Sequence, residues 1–300
     1  MNLAAELARY GPDARYDPPS AEEARAYCRS LAESHYENFT VVSGLFPQHL
    51  QQPLCNVYAY CRWADDSADE AGDAGPALLD WWEGQLDDMF EGRTTHPVFI
   101  ALAETVSQFD IRRQPLADLL VAFRRDQTQQ GYETMTDLLT YCEHSANPVG
   151  RIVLTLGRAL NDENVELSDR ICTGLQLANF CQDVRRDYAS GRIYLPQEWC
   201  RRYGWDEVKF AAGRCDYDFR QLLKAVVDQA EGLLISGRPL ARRVPPELRL
   251  PVRVFVAGGR AILAAIRSAR YDVWSRRPTV TRFTKWRLLA SSLLSGWWHG

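Results

Sequence analysis

The stretch Gln176-Leu177-Ala178-Asn179-Phe180-Cys181-Gln182-Asp183-Val184-Arg185-Arg186-Asp187 reads as one helix with two unlike faces. Asn179, Asp183 and Asp187 recur every four residues. On a helix they fall in one line, about 5–6 Å apart at Cβ. Around them Ile171, Leu175, Leu177 and Phe180 are apolar. A polar line on an otherwise apolar helix predicts a polar cavity inside a helical protein. Outward from this segment the helical period continues in both directions, and the period-two alternation of strands is hard to find. The expected fold is all-α, a single domain with helices around a central cavity.

A second acidic stretch, Asp65-Asp66-Ser67-Ala68-Asp69-Glu70, follows Tyr58-Ala59-Tyr60-Cys61-Arg62. Asp65 and Asp69 have the same four-residue spacing as Asp183 and Asp187, so each pair shares a helix face. Each is a ligand set for a hard cation. Mg²⁺ is usually held by one or two carboxylates plus substrate phosphate oxygens, so the two pairs point to a magnesium-mediated grip on a diphosphate. Alone, the first run reads as a solvated helix face and the second as a surface network with Arg185 and Arg186. The neighbours Val57, Tyr60 and Trp63 argue for a mostly buried helix, in which an uncompensated carboxylate is costly. Arg62 adds a permanent cation suited to phosphate oxygens.

Composition sets the outer bounds. The 300 residues carry a formal charge of -4, which argues against a general nucleic-acid binder. Eight scattered cysteines show no Cys-x-x-Cys and no zinc spacing, the pattern of reduced thiols used for packing. No apolar run reaches the roughly 18–20 residues that span a bilayer, and no secretory leader is evident, so a cytoplasmic protein is expected. Ser20 and Glu23 have capping-box spacing for a helix to about residue 35, and Pro53 reads as the start of a helix through Glu70. Further helices are expected over 76–91, 97–108, 115–126, 134–145, 148–160, 168–189, 204–212, 216–236, 247–272 and 284–297, to within about 2–4 residues. Residues 1–18 read as an N-terminal extension and 280–300 as an aromatic and basic helix. Pro148 disfavours a helical Asn147, either as a kink that makes room for a ligand or as a plain helix–helix turn.

The motifs Tyr58-x-x-Cys61-Arg62-x-x-Asp65-Asp66-x-x-Asp69, Gln176-x-x-Asn179-x-x-x-Asp183-x-x-x-Asp187 and Gly191-Arg192-Ile193-Tyr194-Leu195-Pro196 carry a resemblance. From about residue 25 to 285 the chain resembles the squalene and phytoene synthase family, head-to-head prenyl transferases of the isoprenoid synthase fold. Within it, His35-Tyr36-Glu37-Asn38-Phe39 and Asn179-Phe180-Cys181-Gln182-Asp183 resemble the bacterial hydroxysqualene synthases of hopanoid biosynthesis. Gln182 stands where squalene and phytoene synthases usually have arginine, a neutral amide in place of a cation.

The resemblance implies Asp65, Asp69, Asn179, Asp183 and Asp187 as Mg²⁺ ligands. It implies His35, Asn38 and Arg62, with Gln176 and Arg192, as contacts to a prenyl diphosphate. Tyr58, Tyr194 and Tyr271 would line the cavity, and Arg277 or Lys285 would be a late basic contact. Taken singly, His35, Tyr58 and Tyr194 read as packing residues. The implied reaction is Mg²⁺-dependent ionisation of presqualene diphosphate and capture by water. Phe39, Tyr58 and Phe180 would shield the carbocation, and Gln182 or Tyr194 would hold the water.

The implied neighbours in metabolism are a presqualene diphosphate synthase and a hydroxysqualene reductase. Rival readings are condensation of two farnesyl diphosphates to presqualene diphosphate or squalene, phytoene synthesis, and a non-enzymatic helical assembly protein. The C-terminal stretch reads as a peripheral contact with the inner face of the cytoplasmic membrane or as a helix capping the cavity.

Overall fold

The computed structural model describes residues 1–35 and 44–279. Its helices are α1 (Leu3–Tyr10), α2 (Ala21–His35), α3 (Gln48–Asp69), α4 (Gly75–Phe90), α5 (Pro97–Phe109), α6 (Arg113–Thr128) and α7 (Met135–Ser145). They continue as α8 (Asn147–Leu156), α9 (Asp162–Ala189), α10 (Gln197–Arg202), α11 (Glu207–Ala212), α12 (Tyr217–Gly237), α13 (Leu240–Arg243) and α14 (Pro246–Ser268). Among the described residues there is no β-strand, only an isolated bridge between Gly131 and Ile193. The all-α expectation holds.

Side-chain caps mark many of the starts. Ser20 and Glu23 form the expected reciprocal pair, with Ser20 N donating to Glu23 Oε2 at 2.8 Å and Glu23 N to Ser20 Oγ at 3.3 Å. Thr134 and Asp137 repeat it at α7. Asn161, Asp206 and Asp216 each accept from a backbone N–H three residues on, opening α9, α11 and α12.

The chain divides into two compact units. The first comprises Met1–Thr128 with Arg151–Leu160, the second Gln129–Gly150 with Asn161–Gly300. In the first, Trp63 and Trp82 stack nearly parallel at 5.2 Å, and Tyr60, Phe99 and Leu102 complete a fully buried core. His96 lies inside it, and its Nδ1 accepts from Val98 N at the start of α5. Burial pushes its imidazole down to about 3, so it stays neutral.

In the second unit α9 packs against α12 and α14. Leu177, Phe219, Leu222, Val226 and Leu263 are fully buried there. Gly237 permits the close approach: a Cβ at this position would lie 2.5 Å from Ile171 Cγ1 and 2.9 Å from Leu167 O.

One local expectation is revised, and the structure adds elements the sequence did not mark. Pro53 does not begin its helix but lies inside α3, which starts after Pro47, whose extended backbone sets the entry. Residues 1–18, expected as an extension, include α1, which Asn2 caps and whose Leu3 and Tyr10 are buried. The short helices α10 and α13 carry too few turns to show a period in sequence. At Pro148, α7 ends at Ser145 and α8 starts at Asn147, which is the helix–helix turn. The expected helix 284–297 lies outside the described residues.

Candidate active site

In the first unit α3 carries Tyr58, Arg62, Asp65, Asp66 and Asp69. Its buried side includes Ala59, Tyr60, Trp63 and Ala64, and Tyr60 Oη anchors it by donating to Leu116 O at 2.9 Å. The successive aspartates have different jobs. Asp66 is buried and its oxygens are already taken: Arg62 Nη2 lies 2.6 Å from Oδ1, and Arg62 Nε and the Met1 ammonium both donate to Oδ2. Asp66 therefore fixes Arg62, a role that motif spacing does not separate from metal binding.

Asp65 turns to a different environment. Arg62 Nη1 stands 3.5 Å from its Oδ2. Burial and the negative charge of Asp69 push its carboxyl up to about 6; Arg62 opposes the shift, and Asp66 and Asp126 reinforce it. Asp126, from α6, is the group that sequence reasoning missed as part of this acidic cluster. No local spacing links it to Asp65, because it lies on a different helix. His35 is the last residue of α2. Asn38 and Phe39 lie outside the described residues, so their expected contacts stay proposals.

In the second unit α9 supplies Gln176, Asn179, Gln182, Asp183 and Asp187. Asp183 is buried while Asn179 is exposed. Arg277 meets Asp183 in a fork, Nε to Oδ1 at 2.5 Å and Nη2 to Oδ2 at 2.8 Å. Its Nη2 also donates to Gln182 Oε1 at 3.0 Å, and Gln182 Nε2 donates to Pro278 O at 2.5 Å. The alternative of an Asp–Arg surface network is met in small part. Arg186 approaches Asp183 only to 3.8 Å, and Arg185 donates instead to Trp274 O.

Gly191, with φ 77°, turns the chain after α9 in a conformation that favours glycine. The segment that follows is pinned by Ile193 N to Gln130 O and Gln197 N to Tyr132 O. Tyr194 is thereby stacked on Phe180, with centroids 4.0 Å apart and planes 8° apart. Tyr141 stacks beside it at 5.8 Å and Tyr132 at 6.1 Å. A small cleft is lined by Phe180, Val184, Asp187, Arg192 and Tyr194, so an aromatic wall meets an acid and a cation. Tyr271 stands past the end of α14 with φ 62°.

Among the described residues no three histidine, cysteine or acidic side chains gather tightly enough to hold a metal alone. The donor set still fits Mg²⁺. The like charges around Asp65 are an arrangement that a divalent cation relieves, and Mg²⁺ normally completes its shell with water and phosphate oxygens. Asp65 and Asp69 in the first unit, and Asn179, Asp183 and Asp187 in the second, remain the expected ligands, each set taken by itself.

A family model described as squalene/phytoene synthase matches residues 15–284. The chain is 30% identical over 286 residues to 15-cis-phytoene synthase of Synechococcus elongatus, covering 91% of this chain and 92% of the relative. It is 28% identical to phytoene synthase of Arthrospira platensis, covering 89% and 92%. Among solved structures, squalene synthase HpnC from Alicyclobacillus acidocaldarius aligns with TM-score 0.81 at 42% identity, covering 84% of this chain and 96% of that one. A dehydrosqualene synthase in complex with ligand aligns with TM-score 0.84 at 28% identity, covering 92% and 97%.

Proposed function

The chain belongs to the squalene/phytoene synthase family, and we propose that within it the protein converts presqualene diphosphate and water to hydroxysqualene and diphosphate. The carrying observation is Gln182 within Asn179-Phe180-Cys181-Gln182-Asp183, a neutral residue beside a metal-ligand candidate. The 42% identity to a solved squalene synthase, against 28–30% to the phytoene synthases, supports the squalene side of the family.

In this reading residues 1–300 work as one catalytic domain, and both acidic sets serve the same reaction. Mg²⁺, when bound, supplies Lewis-acid neutralisation of the charge that grows on the departing diphosphate. Arg62, held in place by Asp66, adds a fixed positive charge for diphosphate oxygens. His35, Asn38, Gln176 and Arg192 are the proposed further substrate contacts.

The C–O bond to diphosphate breaks with both electrons leaving on oxygen. The rearranged carbocation then takes the oxygen of one water, whose proton is released. Water must be admitted once and otherwise excluded. The faces of Phe180 and Tyr194 stabilise the cation by about 0.5–2 kcal/mol each, with Tyr58, Tyr271 and Phe39 as further proposed lining groups. Gln182, whose amide is bonded to Arg277 and Pro278, and Tyr194 are the two residues proposed to hold that water.

A presqualene diphosphate synthase would then supply the substrate and a reductase would consume the alcohol. Cytoplasmic location, with peripheral attachment at the inner membrane face through residues 280–300, completes the proposal. Among the described residues no helix is long and apolar enough to cross a membrane.

The test is incubation of purified protein with Mg²⁺ and either presqualene diphosphate or farnesyl diphosphate. Presqualene diphosphate is expected to give a C30 alcohol without NADPH. Turnover of farnesyl or geranylgeranyl diphosphate alone would overturn the assignment in favour of condensation.

A further inference from the structure

We propose that Gln182 is a positioning residue that holds Arg277 on Asp183 as a displaceable counter-ion, and that binding of Mg²⁺ with diphosphate releases Arg277 from this latch. The proposal rests on reading Asp183 as a metal ligand.

The chain leaves α14 through Arg270 and Tyr271, two consecutive non-glycine residues in the left-handed region with φ of 52° and 62°. Such a pair is costly and persists only where the surroundings enforce it. The strap beyond it has two attachments of different kind. The first is largely apolar: Trp274 is buried edge-on against Tyr188 at 6.0 Å and tilted against Phe219 at 5.7 Å. Asp272 braces the turn there by accepting from Ser275 N and Oγ. The second attachment, at Arg277 and Pro278, includes a polar latch onto the adjacent Gln182 and Asp183 of α9.

The latch is built to open. Asp183 is 8% exposed, whereas Arg277 is 39% exposed, so the guanidinium already borders water on the side away from the carboxylate. Arg277 covers both oxygens of Asp183. A divalent cation on that carboxylate would stand against the guanidinium charge, and the two compete for the same group. The displaced fork, at this partly exposed edge, passes to water. Gln182 makes the latch reversible: its carbonyl accepts from Arg277 while its amide donates to Pro278 O, and it adds no charge. An arginine at 182 would set two cations side by side and expel Arg277.

The experiment follows the Nε–H signal of Arg277 by ¹⁵N NMR in the full chain, assigned with Arg277→Lys. Calorimetry on the same samples measures Mg²⁺ and inorganic diphosphate binding. In the metal-free wild type the Nε–H is expected to be protected from solvent exchange. Mg²⁺ with inorganic diphosphate should speed its exchange about tenfold. In Gln182→Arg it should already be fast, with no further change on adding the ions; Gln182→Ala, which introduces no buried charge, should lie between the two. Binding of the ions with the Nε–H still protected would overturn the latch and leave the metal-site reading intact. Absence of ion binding would overturn both. Slow exchange in both Gln182 variants would remove Gln182 from the role.

Discussion

Asp183→Asn is expected to lower kcat by on the order of 10³-fold while leaving the fold in place, the scale of losing a preorganised group that stabilises developing charge. The substitution keeps the volume of a buried side chain and removes only its charge. Stripping one partner from a buried ion pair is damaging when the other charge stays buried. Here the other partner, Arg277, is 39% exposed and can be solvated. The stability cost should stay near about 1 kcal/mol, the scale of a surface pair. Turnover of presqualene diphosphate at saturating Mg²⁺, beside a thermal melt of the same sample, separates the two effects. A kcat within tenfold of wild type would remove Asp183 from the metal ligands.

The second large effect has opposite signs for stability and activity. Asp65 has a folded-state pKa of about 6, raised from 3.8 chiefly by burial and by the charge of Asp69. A raised carboxyl favours the folded state fully below about pH 3.8 and loses that contribution as pH rises through about 6. Above pH 6 the ionised group opposes folding until a cation arrives. Asp65→Asn should therefore stabilise the metal-free protein at pH 8, by about 1 kcal/mol once solvent screening at this half-exposed side chain is discounted. The gain should vanish at pH 4. The same variant should lose the extra stability that Mg²⁺ with diphosphate gives the wild type, and most of its turnover. Melts at pH 4 and pH 8, with chelator and with both ions, check each sign. A variant less stable than wild type at pH 8 without metal would contradict the account of Asp65.

The helices were legible because apolar period and capping residues agree, as at Ser20–Glu23 and Asp216. The start of α3 was not, since Pro53 reads as a beginning although the helix admits it internally. The acidic pairs were visible in sequence because a four-residue spacing is a local property of one helix. The separate duties of Asp65 and Asp66 depend on what surrounds each, which spacing does not encode. The approach of Asp126 to Asp65 and the hold of Arg277 on Asp183 join residues far apart in the chain. Only the packed fold brings them within range of each other. The stacking of Tyr194 on Phe180 lies between these cases, with both rings marked in sequence and their contact set by the turn at Gly191.

The carboxylates of α3 and α9 are proposed to act through divalent cations to bind and release diphosphate. Calorimetric titration of inorganic diphosphate, with Mg²⁺ or with chelator, into wild type and the Asp65→Asn/Asp183→Asn double variant tests it most directly. Tight binding is expected only to wild type and only with Mg²⁺, each single variant weaker by about tenfold or more. Diphosphate binding that survives both the chelator and the double substitution would contradict it.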